Sequence, residues 1–292
     1  EKKLKQSIIN IMSPLKKSFC LALIVLLTCS CGSNIFKGLV DKEETQDLDT
    51  LLEDASSKED YKKIIDKSES IINSSSASAT EKSKAHITKA EAILGKNDQT
   101  PIDLFANIAS AATEKTSENK DKNAFNVLTE KNIPQSDLIN ASESIALAGS
   151  STLSDDQQLL KGVVNTMIVV NQINKSLDVD EDGNISKPGE KSYENTLDDI
   201  LYPNKLDKST SIADYSKNAE NGFKDSNSLN GEQESQITKT KDTSQNLKNL
   251  DTKIKGRESF IFKETTYNVN SADPTTKEIE IKKAMEAIFG AM

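Results

Sequence analysis

Residues 154–177 read "SDDQQLLKGVVNTMIVVNQINKSL", and this stretch decides the fold class. Leu159, Leu160, Val163, Val164, Met167, Ile168, Val170 and Ile173 recur at helical spacings over a length that strands seldom reach. Apolar residues occupy more than one side, which is the pattern of a helix buried among other helices. Val and Ile are modest helix formers, so packing rather than propensity must hold it. Ser154 and Gln157 have the spacing of a capping pair at its start.

Outward from this helix the pattern stays helical. Residues 57–76 place Tyr61, Ile64, Ile65, Ser68, Ile71 and Ile72 three and four apart, with a capping box expected at Ser56 and Glu59. Ser78 and Glu81 open a second helix, whose small face is Ala85, Ala90, Ile93 and Leu94 and whose stop is Gly95. Leu48, Leu51 and Leu52 form an earlier apolar face. Further helices are predicted at 101–115, 121–131 and 135–148, and a short one carries Leu197, Ile200 and Leu201. Residues 203–232 are rich in Asn, Ser, Lys and Asp and read as flexible, with a short helix at 212–221. A long polar helix follows, with Ile237, Thr240, Leu247, Leu250 and Ile254 in a loose stripe. "ESFIFKETTYNVN" (258–270) favours an extended form. Asp273 caps a last helix with Ile279, Met285, Ile288 and Phe289 as its apolar side.

The segments "DYKKIIDKSESII" (60–72) and "AHITKAEAILGK" (85–96) resemble the paired helices of tetratricopeptide repeats, without the consensus Trp and Pro. The expected fold is all-α: antiparallel, tetratricopeptide-like helical hairpins around the central apolar helix, with long polar loops, in one domain over 39–292.

The N-terminal region carries a different message. Lys16 and Lys17 precede the apolar run Phe19–Leu27, which has the length of a signal-peptide core and is too short to span a bilayer. Small residues and cysteines follow directly. The segment resembles a bacterial lipoprotein signal, which implies acylation of a cysteine. Cys31 is the favoured site: Ser30 precedes it and Gly32, Ser33 and Asn34 follow, although its apolar Leu27 lies four residues back. Cys29 is the alternative, with Leu26 at the usual distance but Thr28 directly before it. The expected organisation is therefore an upstream extension and signal over 1–30, with Met12 as the better start, and a tether over 31–38. The implied location is the cell envelope, with the membrane reached through the N-terminal lipid.

Composition removes several function classes. The formal charge is −9, and losing residues 1–30 takes it to −13, which excludes nucleic acid as a partner. Arg257 is the only arginine, so bidentate phosphate or carboxylate recognition has little to work with. Cys20, Cys29 and Cys31 are the only cysteines, leaving the body after Cys31 without a thiol nucleophile or a cysteine zinc site. His86 alone cannot form a two-histidine site and reads as structural. Asp155, Asp156, Asp198 and Asp199 read as helix-dipole and solvation features.

One stretch has ligand spacing. In "DVDEDGNISKPGE" (178–190), Asp178, Asp180 and Asp182 occupy positions 1, 3 and 5 of an EF-hand-like loop. Gly183 stands at the sharp turn, and Asn184 would offer its carbonyl. Position 12 is Gly189 rather than a bidentate Glu, and Glu190 lies one residue late. The ligand types suit Ca²⁺ in a structural role, and calcium modules outside the cytoplasm work at roughly 10⁻⁴–10⁻³ M. The expected function is a non-enzymatic helical binding or scaffold module with an envelope protein or peptide partner. The alternative is a solute-capturing lipoprotein of a transporter, since the chain also resembles the helical lipoprotein component of TRAP-type transporters.

Overall fold

The computed structural model describes residues 46–99, 133–149, 153–176, 178–179, 185–186, 191–204, 207–226 and 231–289. The fold is all-α. The described helices are α1 (Gln46–Asp54), α2 (Lys58–Asn73), α3 (Ala79–Lys96), α4 (Gln135–Ala148), α5 (Asp155–Ser176), α6 (Tyr193–Leu201), α7 (Ile212–Asp225), α8 (Gly231–Lys255) and α9 (Pro274–Phe289). Two small antiparallel ladders join them: β1 (Asp178–Val179) with β2 (Ile185–Ser186), and β3 (Phe260–Phe262) with β4 (Thr265–Tyr267).

α5 is the central helix. Residues 159–170 are buried without a break, polar ones included. Each fully buried Leu, Val, Ile or Met side chain contributes about 1.5–3 kcal/mol. The polar members find partners instead of water. Asn165 donates to the Lys161 carbonyl at 2.8 Å and accepts from the Ser142 hydroxyl of α4 at 3.0 Å. Thr166 donates to the Gly162 carbonyl at 2.9 Å. Ser154 and Gln157 cap the helix reciprocally, at 3.4 and 3.0 Å.

α2 packs antiparallel on α3, α3 on α4 and α4 on α5. Tyr61 of α2 lies over Gly95 of α3, so a side chain at position 95 would strike the phenol ring. Gly95 is thus a packing residue inside α3 and not only its stop. Ser83 and Ser144 stitch α3 to α4, donating to the Ala148 and His86 carbonyls at 2.7 and 2.9 Å. The Gln135 amide of α4 donates to the Ile168 carbonyl of α5 at 3.0 Å. At the start of α2 the cap is Ser57 with Asp60, one residue later than the Ser56–Glu59 expectation, because Ser57 holds the extended backbone that a cap requires. Ser78 and Glu81 form the expected capping box on α3.

The helix expected at 212–221 within the polar stretch 203–232 is present as α7 and runs four residues further, to Asp225. It buries Ile212, Tyr215, Ala219 and Phe223 directly against α5. Its apolar residues are few but fall on one face, and two glycines let the backbones meet. A Cβ on Gly222 would lie 2.6 Å from the Gln158 carbonyl oxygen and 2.6 Å from the Gly162 nitrogen. A Cβ on Gly162 would lie 2.6 Å from the Phe223 ring. The polar helix α8 then packs on α7 through the Ser216–Ser244 hydroxyl pair at 2.8 Å, and it buries Leu247, Leu250 and Ile254 in the common core.

The extended segment forms the β3–β4 hairpin. Its two turn residues, Lys263 and Glu264, both have positive φ (46° and 65°), the geometry of a tight hairpin turn. Phe260 and Tyr267 turn into the core beside α9. On α9, Ile281 is buried in place of the expected Ile279, which is exposed. The predicted helices at 101–115 and 121–131, the signal, Cys29, Cys31 and the tether lie outside the described residues.

Gly222→Ala tests the α5–α7 contact. Alanine adds about 1 kcal/mol of helix propensity, yet the atoms it meets belong to backbone and cannot step aside. A net loss of about 1–3 kcal/mol is expected, read by urea unfolding.

Candidate functional site

The acidic loop is framed by α5 and α6. Asp178 pairs with Ser186 and Val179 with Ile185, so a two-rung ladder joins loop positions 1 and 2 to positions 9 and 8. Asp180, Asp182, Asn184 and Glu190 lie outside the described residues. The exit helix α6 opens past Glu190, at Tyr193, with Ser192 as its cap.

Both ends of the loop are tied down. On the entry side, the Gln172 side-chain amide of α5 donates to the Asp199 carbonyl of α6 and, at 3.4 Å, to the Ser176 hydroxyl. On the exit side, the backbone N–H of Tyr193 donates to the Glu278 carboxylate of α9 at 2.7 Å. Lys277 of α9 pairs with Glu194 at 2.6 Å, and Lys191 with Asp199 at 2.6 Å. A carboxylate at a helix N-terminus answers both the free N–H groups and the dipole. Glu278 and Lys277, near the start of α9, therefore fix the direction in which α6 sets out. The sequence does not disclose this clamp, since Glu278 and Tyr193 are far apart in the chain.

The aspartates of α6 do more than solvate. Asp198 pairs with Lys208 at 2.5 Å and Lys255 at 3.5 Å. Both ammonium groups lie over the Tyr202 ring, 5.5 and 5.2 Å from its centre. Burial and the neighbouring Asp251 raise the Tyr202 phenol above its ordinary range. Each of these cations is matched by a carboxylate, so the cluster braces α6 against α8. His86 shares a 3.3 Å contact with Ser144, whose hydroxyl is already given to a backbone carbonyl. Burial and Lys89 lower its pKa. It ties α3 to α4, as its solitary place in the sequence implies.

Two buried carboxyls escape the sequence reading. Glu220 of α7, only 8% exposed, accepts from Lys241 of α8 at 3.0 Å and Lys224 at 3.1 Å. Burial raises its pKa, but the two lysines outweigh that and hold it below the usual glutamate value. Glu91 of α3 is pushed up to about 8, first by burial and then by the charge of Asp49. Its place between Ala90 and Ala92, inside an apolar run, is the only sequence signal it leaves.

Among the described residues, no group of three or more His, Cys, Asp or Glu side chains is gathered as a metal ion would need. No described helix is long and apolar enough to cross a membrane. Comparison with family models, with curated proteins and with solved structures finds no match.

The Glu220 cluster sets an acid dependence. Its folded pKa is depressed, so its contribution is full above the ordinary glutamate range and fades as pH falls through the folded value. Glu220→Gln should cost about 1–3 kcal/mol at pH 7. The gap to the unaltered chain should close toward pH 2, in unfolding curves taken at both pH values.

Proposed function

We propose that this chain is a lipid-anchored envelope protein whose helical body acts as a non-enzymatic binding or scaffold module. The observation that carries the anchor is the order of Lys16-Lys17, the apolar run Phe19–Leu27 and the cysteines at 29 and 31. The body supports the module reading through its helix-on-helix packing, α2 on α3, α3 on α4 and α4 on α5. The body after Cys31 has a single His and no thiol, and this supports a non-catalytic role.

The acidic loop serves in this reading as a structural Ca²⁺ clip, with Asp178, Asp180, Asp182, Asn184 and Glu190 as ligands. Its clamped ends favour this. A loop whose stems are held loses less conformational entropy on closing around an ion than a free one.

The anchor is tested by feeding cells an alkyne-tagged fatty acid. The unaltered chain should carry the tag and sediment with membranes, and Cys31→Ala should lose both. Retention in Cys31→Ala with loss in Cys29→Ala would move the lipid to Cys29. No tag on any form would end the anchor reading.

The clip is tested by thermal unfolding in calcium. Binding to the folded state at a hundredfold excess over Kd should add about 2.7 kcal/mol. Asp178→Ala and Asp182→Ala should each abolish the rise. An unchanged midpoint at several millimolar calcium would remove Ca²⁺ from the proposal.

A further inference from the structure

The first described helix is docked beside a buried carboxyl. α1 lies against α2 and α3. It enters the body with Leu48, which is buried, and with Asp49, whose carboxylate accepts from the Lys84 ammonium of α3 at 2.6 Å. The Lys84 side chain is only 10% exposed. Lys84, Thr88, Glu91 and Gly95 follow one another along a single stripe of α3, and Glu91 is 5% exposed.

The charges around Glu91 are few. Asp49 comes from α1 and Lys84 from its own helix. From α2 come Tyr61 and half-buried Lys67, with Glu69 held by Lys89 at 2.8 Å. From α4 come Asp137, held by Lys96 at 3.1 Å, and Ser144, which occupies His86. An ionised Glu91 would therefore set a second negative charge near Asp49, in a place with little water, where Lys84, the cation that acts on it, is already engaged by Asp49. A protonated Glu91 sets none. α1 has nine residues, too few to hold a helix alone in water, so its structure depends on this docking.

We propose that α1 is a proton-controlled latch, docked on α3 while Glu91 is protonated and released when Glu91 ionises. The docked carboxyl sits at about 8, raised by burial, then by Asp49, with Lys84 opposing. Release of α1 takes away the Asp49 charge, so the pKa falls from there toward the ordinary glutamate value of 4.5. Docking therefore takes up a proton between these limits. It is strongest below the lower one, weakens by up to about tenfold per pH unit between them, and is weakest above the upper one. The latch rests on the fold and not on the anchor. Where the anchor holds, releasing nine residues adds about 30 Å of reach between membrane and body.

Hydrogen exchange read by mass spectrometry on the full chain tests this, with rates corrected for the intrinsic pH dependence of exchange. From pH 6 to pH 8.5, amide protection in α1 should fall at least tenfold relative to α5. In Glu91→Gln it should stay level. In Asp49→Asn, which removes the charge that raises Glu91, the upper end of the transition should move to lower pH. The proposal is overturned if α1 protection does not change with pH, if it falls together with α5, or if it falls equally in Glu91→Gln. Should Glu91→Gln not fold, an unshifted transition in Asp49→Asn overturns it as well.

Discussion

The contact between Gly162 and Gly222 sets the geometry on which the other helices depend. A helix buried on every side needs neighbours at close range, and α7 reaches α5 only because neither backbone carries a Cβ at the crossing. Phe223, 1% exposed, then lies over Gly162 and fills the space that a longer side chain would have taken. With α7 seated, α8 follows through Ser216–Ser244, Glu220–Lys241 and Asp214–Lys248. α6 is braced on α8 by the lysines around Tyr202. The acidic loop hangs between α5 and α6, so its two stems inherit their positions from this one close approach.

The interior joins its apolar side chains with polar ones that bond to neighbouring helices or to their own backbone. Asn165, Thr166, Gln172, Ser142 and Ser216 are buried, yet each spends its hydrogen-bonding groups on a neighbouring helix or on its own backbone. A buried polar group without a partner costs about 1–3 kcal/mol, whereas a paired one also fixes which helix lies next to which. The register of α4 on α5 is written in such pairs, Ser142 with Asn165 and Gln135 with the Ile168 carbonyl. α1, by contrast, holds on through Leu48, Leu52 and the Asp49–Lys84 ion pair. That is the composition of an element drawn from the low-stability end of a fold.

Much of the secondary structure is legible in the chain because its signals are local. The apolar periodicity of α5, the capping residues Ser78, Ser154 and Asp273, and Pro134 before α4 each act within a turn or two of helix. Where only a local rule competes with another local rule, the error is small, as with the cap at Ser57 instead of Ser56. The burial of α7 is of another kind. Its helix is legible at 212–221, but in "SIADYSKNAENGFKD" charged and amide residues stand among small Ala, Gly and Ser, and nothing marks it as a partner of α5. In close helix packing those small residues are what allows the backbones to approach, and only the presence of α5 across from them reveals it.

The sequence by itself determined that the protein is helical, where most of its described helices lie, and the spacing of the acidic loop from Asp178 to Glu190. These follow from periodicity, capping and composition, which need no distant contact. Only the tertiary structure decided that Glu278 caps α6 and steers the loop's exit, that Gly95 and Gly222 are packing contacts, and that Glu91 lies in a place where its proton is retained. Each of these depends on burial or charge supplied by residues remote in the chain. A carboxyl's chemistry is set by the water and the charges around it, and those are properties of the assembled fold.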